Sequence, residues 1–305
     1  MDSGFTVPPI EIAGGYIWII QVAEIVMGDT CNTPPKIRAY VEYHRDRDLA
    51  GVKAKVWERR ALLDALESKR RGEIDFDVAI VDGEVLTRYG EEEYAMVPSE
   101  AREVMKQARE LTERALVASC EVNTPIVGVL KRSYSGDIRF TYGLFDIGLN
   151  DRAIASIMLK RGEYFVLGTY REIEEKITRE YSSIEPDPRI SSRIDWIRRV
   201  TSSYGEHVGR VKVVFYKPRL NTVELAVKTE IAEAPEWSIG EIVSALSKIT
   251  GNTGFPIPLD YVDSLAYIRP EIRRLVYELV YSKLSQKDIN IARLLSSLVN
   301  PQKPI

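Results

Sequence analysis

The stretch Ile74-Asp75-Phe76-Asp77-Val78-Ala79-Ile80-Val81-Asp82-Gly83-Glu84-Val85-Leu86 decides how the chain folds. Its apolar run, 78–81, has the length and β-branched content of a strand buried on both faces, so residues 78–86 are expected to form a central strand. The run breaks at Asp82-Gly83. Glycine permits a sharp backbone turn there, which leaves the Asp82 carboxylate projecting from the strand end. One such aspartate proves little; it gains weight only if other carboxylates converge on it.

Working outward, residues 52–71 carry helical periodicity with two stripes. One is Val52, Val56, Leu63 and Leu66; the other is Ala54, Glu58, Ala61 and Ala65. Glu58 is thus the one charged group on a face of small residues, open to two readings: a solvated helical glutamate or a group packed toward a sheet. Upstream, residues 16–27 and 36–43 read as an antiparallel hairpin with a wide connection. Downstream come a long polar helix over 99–119, with Ser99 as its N-cap, and a strand over 125–130 ending in Lys131-Arg132-Ser133. Lys131 there suits either a phosphate contact or a balance for nearby carboxylates. Asn150-Asp151-Arg152 caps a helix over 153–160, with Asp151 read as an N-cap, and residues 164–168 form a strand.

The stretch 171–210 is strongly charged and reads as a helical insertion, mobile or facing a partner. Its Tyr170, Tyr181, Trp196 and Tyr204, interleaved with arginines, have the composition of a DNA-facing surface, or equally of a solvated ion-pair surface. A strand pair over 211–216 and 222–229 follows, then a helix over 238–248 opened by the capping box Ser238/Glu241. In Gly254-Phe255-Pro256-Ile257-Pro258-Leu259 two prolines predict a rigid extended segment that enters a helix at about Asp263. Asp263 is either that helix's N-cap or a site carboxylate. A last helix is expected over 270–284.

With 305 residues, 45% of them hydrophobic, the chain is long enough for one large α/β domain spanning 1–305. A formal net charge of −3 excludes a globally basic nucleic-acid binder, so a nucleic-acid partner would be met by local patches or with cations. Two cysteines, Cys31 and Cys120, are too few for a disulfide framework and point to a reducing, cytoplasmic setting. No run reaches the roughly 18–20 apolar residues that would span a membrane, so no membrane partner is expected. His44 and His207 stand in polar contexts without a second His or Cys at ligand spacing.

Taken in order, several of these pieces resemble the NurA nuclease family of archaea and some bacteria. Asp2-Ser3-Gly4-Phe5, with Pro8-Pro9 and Gly14-Gly15 behind it, is similar to that family's first acidic motif. Glu58 falls at its helical glutamate and Val81-Asp82-Gly83 at its second Asp-Gly strand. Residues 125–133 are similar to its Val-Gly-Val-Val-Lys-Arg segment, Asp151-Arg152 to its Asp-Arg element, and Gly254 to Asp263 to its Gly-Tyr-Pro-x-Pro-Leu signature. The resemblance implies an RNase H-like (Piwi-like) mixed sheet flanked by helices and a homodimer. It also implies manganese-dependent cleavage of DNA, as 5′–3′ exonuclease and single-strand endonuclease, with the hexameric HerA translocase in double-strand-break end resection. It makes Asp2, Glu58, Asp82 and Asp263 the metal ligands, with Lys131 beside them. The chain departs from the pattern at Phe255, where many relatives carry Tyr, and at Asp263, where some carry His. Asp2 also lies one residue from the start, where relatives usually carry a preceding segment, which leaves open a truncated chain.

The chemistry agrees. Phosphodiester hydrolysis needs an activated water, a neutralised phosphorane and a stabilised leaving oxygen, and two divalent ions about 4 Å apart supply all three. Oxygen ligands without Cys or His favour Mn²⁺, with Mg²⁺ as the alternative, over Zn²⁺. The competing readings are a catalytically inactive family member serving as a structural or DNA-binding subunit, and an RNase H-like enzyme acting on RNA.

Overall fold

The computed structural model describes residues 1–12, 15–28, 33–45, 49–87, 99–131, 135–144, 147–182, 188–220 and 224–290. Cys31, Gly14, Arg132 and Ser133, and the side chain of Ser99, lie outside them.

Among the described residues, nine strands build two hydrogen-bonded ladders. In the first, β1 (Asp2–Phe5), β2 (Ile10–Ile12) and β4 (Lys36–His44) all pair antiparallel with β3 (Gly15–Glu24). The second has the order β5-β6-β9-β8-β7, from β5 (Ala79–Asp82), β6 (Ile126–Leu130), β7 (Tyr164–Thr169), β8 (Val211–Tyr216) and β9 (Val227–Ala232). Among the described strands of this second ladder, β5–β6 is the parallel pair and the others are antiparallel.

Met1 joins the ladders. Its N–H donates to Ile80 O at 3.0 Å and its carbonyl accepts from Asp82 N at 3.2 Å, the slanted pattern of a parallel pair. The strand order across the junction is therefore β4-β3-β1-β5-β6, antiparallel in its first three strands and parallel thereafter. β5, from the stretch around Asp82, is thus an edge strand of its own ladder, central only through Met1, and it is shorter than the expected 78–86. Ala79 and Val81 are buried while Ile80 and Asp82 are half-buried, so it alternates instead of being sealed on both faces.

Helices cover both faces. On one, α1 (Leu49–Arg70) and α2 (Ser99–Glu121) pack with α5 (Tyr170–Glu180) and α6 (Pro188–Tyr204). Short α3 (Asp137–Thr141) and α4 (Asp151–Met158) complete that core. On the other face lie α7 (Ile239–Lys248) and α8 (Ile257–Ala266), through Ile242, Leu246, Leu259 and Val262. α9 (Pro270–Lys287) buries none of its residues. No helix among the described residues is long and apolar enough to cross a membrane.

Three expectations are corrected. Of the charged stretch, residues 170–180 and 188–210 are helical, but Ile173, Ile177, Ile190, Ile197 and Val200 are core residues. Tyr170, Tyr181 and Tyr204 are buried and Trp196 packs against the same core, so these rings are not free to stack on bases. The charged composition came from the outer halves of amphipathic helices. The helix carrying Asp263 begins at Ile257, because Pro258 falls in the first turn, where its missing N–H costs no hydrogen bond. Asp263 is consequently mid-helix and not an N-cap. Asn150, not Asp151, caps α4, accepting from Ala153 N at 2.9 Å. The Ser238/Glu241 capping box forms as expected.

Candidate metal centre

Pairing and alternation set the site. β1 is pinned in register against β3, Asp2 opposite Ala23. Successive residues point to opposite faces, so Asp2 and Gly4 face α8 while Ser3 and Phe5 face α1. A Cβ on Gly4 would lie 2.2 Å from Ala266 O, so only glycine lets the end of α8 close on β1. At the end of β5, Gly83 takes a φ of +91°. The turn it makes crosses β6 over Gly128, whose added Cβ would meet Gly83 O at 2.4 Å. Three glycines, Gly4, Gly83 and Gly128, thus bring a strand start, a strand end and a helix face to one point.

There the carboxylates of Asp2, Asp82 and Asp263 each offer an oxygen, and the three lie within 4.8 Å of one another. Lys131, just past β6, reaches among them, its ammonium 3.3 Å from Asp82 Oδ2 and bonded to Asp263 Oδ2. Among the described residues Asp263 Oδ1, shielded from solvent, accepts no hydrogen bond. Burial, then the charges of Asp82 and Glu58, push the Asp2 carboxyl up to about 7. Burial and Asp263 also raise Asp82 above the ordinary carboxylate range, against the pull of Lys131 and Lys55. Three crowded carboxylates with one lysine are short of positive charge. A solvent-shielded oxygen without a donor and an all-oxygen ligand set fit a hard divalent cation.

Glu58 stands apart from that triad. It is fully buried, which removes the solvated reading. Its carboxylate takes Lys55 Nζ at 3.0 and 3.1 Å, Arg59 Nη1 at 3.2 Å and Ser3 Oγ at 2.9 Å, on the α1 side of β1. Burial pushes its carboxyl up, but Lys55 and Arg59 overcome that and hold it below the ordinary value. Lys55 also donates to Asp82 O at 2.9 Å, tying Glu58 to the strand end. Lys55, Arg59 and Ser3 were missed in the sequence, although Lys55 and Glu58 stand at the i,i+3 spacing of a helical ion pair.

Asp151 belongs to another cluster. It is fully buried and accepts from Ile138 N at 2.8 Å and Ser135 Oγ at 2.6 Å. Lys228 Nζ joins Ser135 Oγ, Asp137 Oδ2 and Asp151 Oδ2 at 2.5, 3.0 and 3.3 Å, and Arg193 pairs with Asp137 through two bonds of 2.6 and 2.8 Å. Lys228 and Glu230 lie on β9, which runs three residues beyond the expected end at 229 and is buried along its whole length. Glu230 Oε2 accepts from Val85 N and Leu86 N at 2.8 and 3.1 Å, fixing the segment that follows Asp82-Gly83. The missed signal was two charges alternating within an apolar strand.

Residues 32–268 match the family model of the NurA domain. The chain belongs to the NurA family. The matched span includes Glu58, Asp82, Lys131 and Asp263 and leaves Asp2 ahead of it. A crystal structure of the NurA nuclease from Sulfolobus solfataricus superposes with a TM-score of 0.52, over 94% of this chain and 83% of that one, at 15% identity. That likeness carries the mixed α/β fold of NurA. No curated protein matches the chain.

Proposed function

We propose that this NurA-family chain is a metal-dependent DNA nuclease. The observation that carries the reading is the convergence of Asp2, Asp82 and Asp263 around Lys131 at the junction of the two ladders. Asp2, Asp82 and Asp263 would hold the metal, with Glu58 as a reserve carboxylate bound to Lys55. Mn²⁺, or Mg²⁺ in its place, would supply the Lewis acidity and a water of lowered pKa. Lys131 lies where a phosphate bound at the triad would be, and exchanging a carboxylate for a phosphate oxygen keeps its charge paired. Arg59, bonded to both Glu58 and Glu84 O, and Glu230 keep the Asp82 turn fixed, so the carboxylates converge before substrate arrives.

The finer reading is a 5′–3′ exonuclease and single-strand endonuclease in end resection with HerA, acting as a homodimer in the cytoplasm. Two apolar surfaces support the dimer. Edge strand β4 leaves Ile37, Val41 and Tyr43 about half exposed, and α9 leaves out Ile272, Leu275 and Leu279.

Cleavage of a labelled single-stranded oligonucleotide with Mn²⁺ tests the nuclease. The parent should cut, and Asp82→Ala should lose at least a hundredfold in rate while keeping its melting temperature. A parent that binds Mn²⁺ and DNA yet never cuts would support the inactive-subunit reading instead.

A further inference from the structure

Among the cations around the site, Arg152 is the exception. Lys55 and Arg59 pair with Glu58, Lys131 with Asp82 and Asp263, and Lys228 and Arg193 with Asp137. Arg152 is half-buried, yet no carboxylate among the described residues pairs with it. Among the described residues its bonds go only to neutral acceptors: Nε donates to Ala226 O at 2.8 Å and Nη1 to Lys131 O at 2.9 Å. Its guanidinium also lies over the ring of Phe255, 5.0 Å from the centroid. A charge taken part-way out of water without a counter-ion is costly. The two carbonyls and the ring hold the side chain in place, but none of them neutralises its charge.

The three contacts also say where this charge points. Lys131 O belongs to the residue whose side chain enters the carboxylate triad. Phe255 opens the segment that leads into α8, where Asp263 lies two turns on. Arg152 therefore sits against both arms of the site, held from behind by carbonyls and a ring face, with Nη2 left over. Phe255 needs no hydroxyl for this, since the cation uses the face of the ring.

We infer that Arg152 is a backbone-phosphate contact, a fixed guanidinium that receives a substrate phosphate neighbouring the one held at the triad. The inference rests on the nuclease reading of the site and adds the place where the strand is gripped. A planar fork already oriented by two carbonyls loses little freedom on binding a phosphate, so the contact favours substrate binding over the chemical step.

The test uses the full chain in an Asp82→Asn background, which holds DNA without cutting it. Binding of a fluorescent single-stranded oligonucleotide is followed by anisotropy across a salt series. Arg152→Met should weaken binding several-fold and lower the slope of log affinity against log salt by about 0.7, the value for one phosphate on a single strand. Arg152→Lys should restore most of the slope, which a merely structural arginine would not do. In the cleaving parent, Arg152→Met should raise KM more than it lowers kcat. A single methylphosphonate placed along the oligonucleotide should, at one position, abolish the difference between Arg and Met. An unchanged salt slope in a folded Arg152→Met variant, or a slope that Lys does not restore, would overturn the inference while leaving the nuclease reading intact. A parent that neither binds nor cuts DNA would overturn both. Melting curves of each variant separate loss of contact from loss of fold.

Discussion

Two clusters of carboxylates lie near strand ends in this molecule, and they are solved in opposite ways. Around Lys228 every charge is answered: Asp137 and Asp151 share the lysine, Arg193 binds Asp137 through two bonds, and the acids and lysine are sealed from water. Around Asp82 three acids share one lysine and remain half-exposed. The proton affinities follow. Burial raises Asp137, but Arg193 and Lys228 outweigh it and hold the acid well below the ordinary carboxylate range, whereas Asp2 is pushed up to about 7. Both clusters have acids close together, so proximity alone does not mark a site. The unanswered charge does.

The comparison breaks most visibly under substitution. Removing Asp137 leaves Arg193 without its carboxylate and Lys228 with the carboxylate of Asp151 alone, so Asp137→Ala should cost about 3–5 kcal/mol of stability. Urea unfolding measures it, and the fraction still folded should keep its specific activity. Asp82→Asn should do the reverse: stability unchanged or improved without metal, since repulsion with its neighbours is relieved, and activity gone. A severe loss of stability in Asp82→Asn would place both clusters in the same structural class.

Metal sharpens the same contrast. A divalent ion bound only by the folded triad stabilises it through mass action, about 2.7 kcal/mol at a hundredfold excess over Kd. Mn²⁺ should therefore raise the melting temperature of the parent by several degrees and leave Asp82→Asn nearly unmoved. Asp137 variants, though lower in melting temperature, should keep the full Mn²⁺ increment. Equal increments in the parent and Asp82→Asn would put the ion elsewhere.

How much of this was legible beforehand follows from how far each signal reaches along the chain. Asp82 was readable because its turn is local: an apolar run, an Asp and a Gly in sequence. Asp263 was readable only as part of a motif, and its helical place was hidden because Pro256 and Pro258 look like helix breakers, although Pro258 merely occupies a first turn. Glu58 was left between a solvated and a packed reading, because its partner Ser3 lies 55 residues away and appears only when β1 docks against α1. The sealed cluster was not readable at all. Ser135 and Asp137, Asp151, Arg193 and Lys228 come from four separate parts of the chain, and Lys228 sits in a strand whose end was set too early at Thr229. The charged composition of 171–210 suggested a surface for DNA because composition does not say which side of a helix faces inward.

The smallest expected effect is a difference of sign with pH. Asp2 has a folded value of about 7 against an ordinary 3.8. The folded state therefore binds its proton more tightly than the unfolded chain does. The stability this adds is complete below about pH 3.8 and is lost as pH rises through 7. Asp137 is lowered instead, so its contribution is present above the ordinary 3.8 and lost as pH falls below it. Metal-free protein should thus lose stability from its open cluster on going from pH 5 to 8, by on the order of 1 kcal/mol after screening of a partly exposed group. Asp2→Asn should flatten that slope, and saturating Mn²⁺ should cancel or reverse it, because the ion competes with the proton for the same oxygens. The Asp137 contribution should be flat over the same interval. Urea midpoints at pH 5, 6.5 and 8, with and without Mn²⁺, decide it. A slope that survives both Asp2→Asn and metal would mean that the raised proton affinity lies outside the triad.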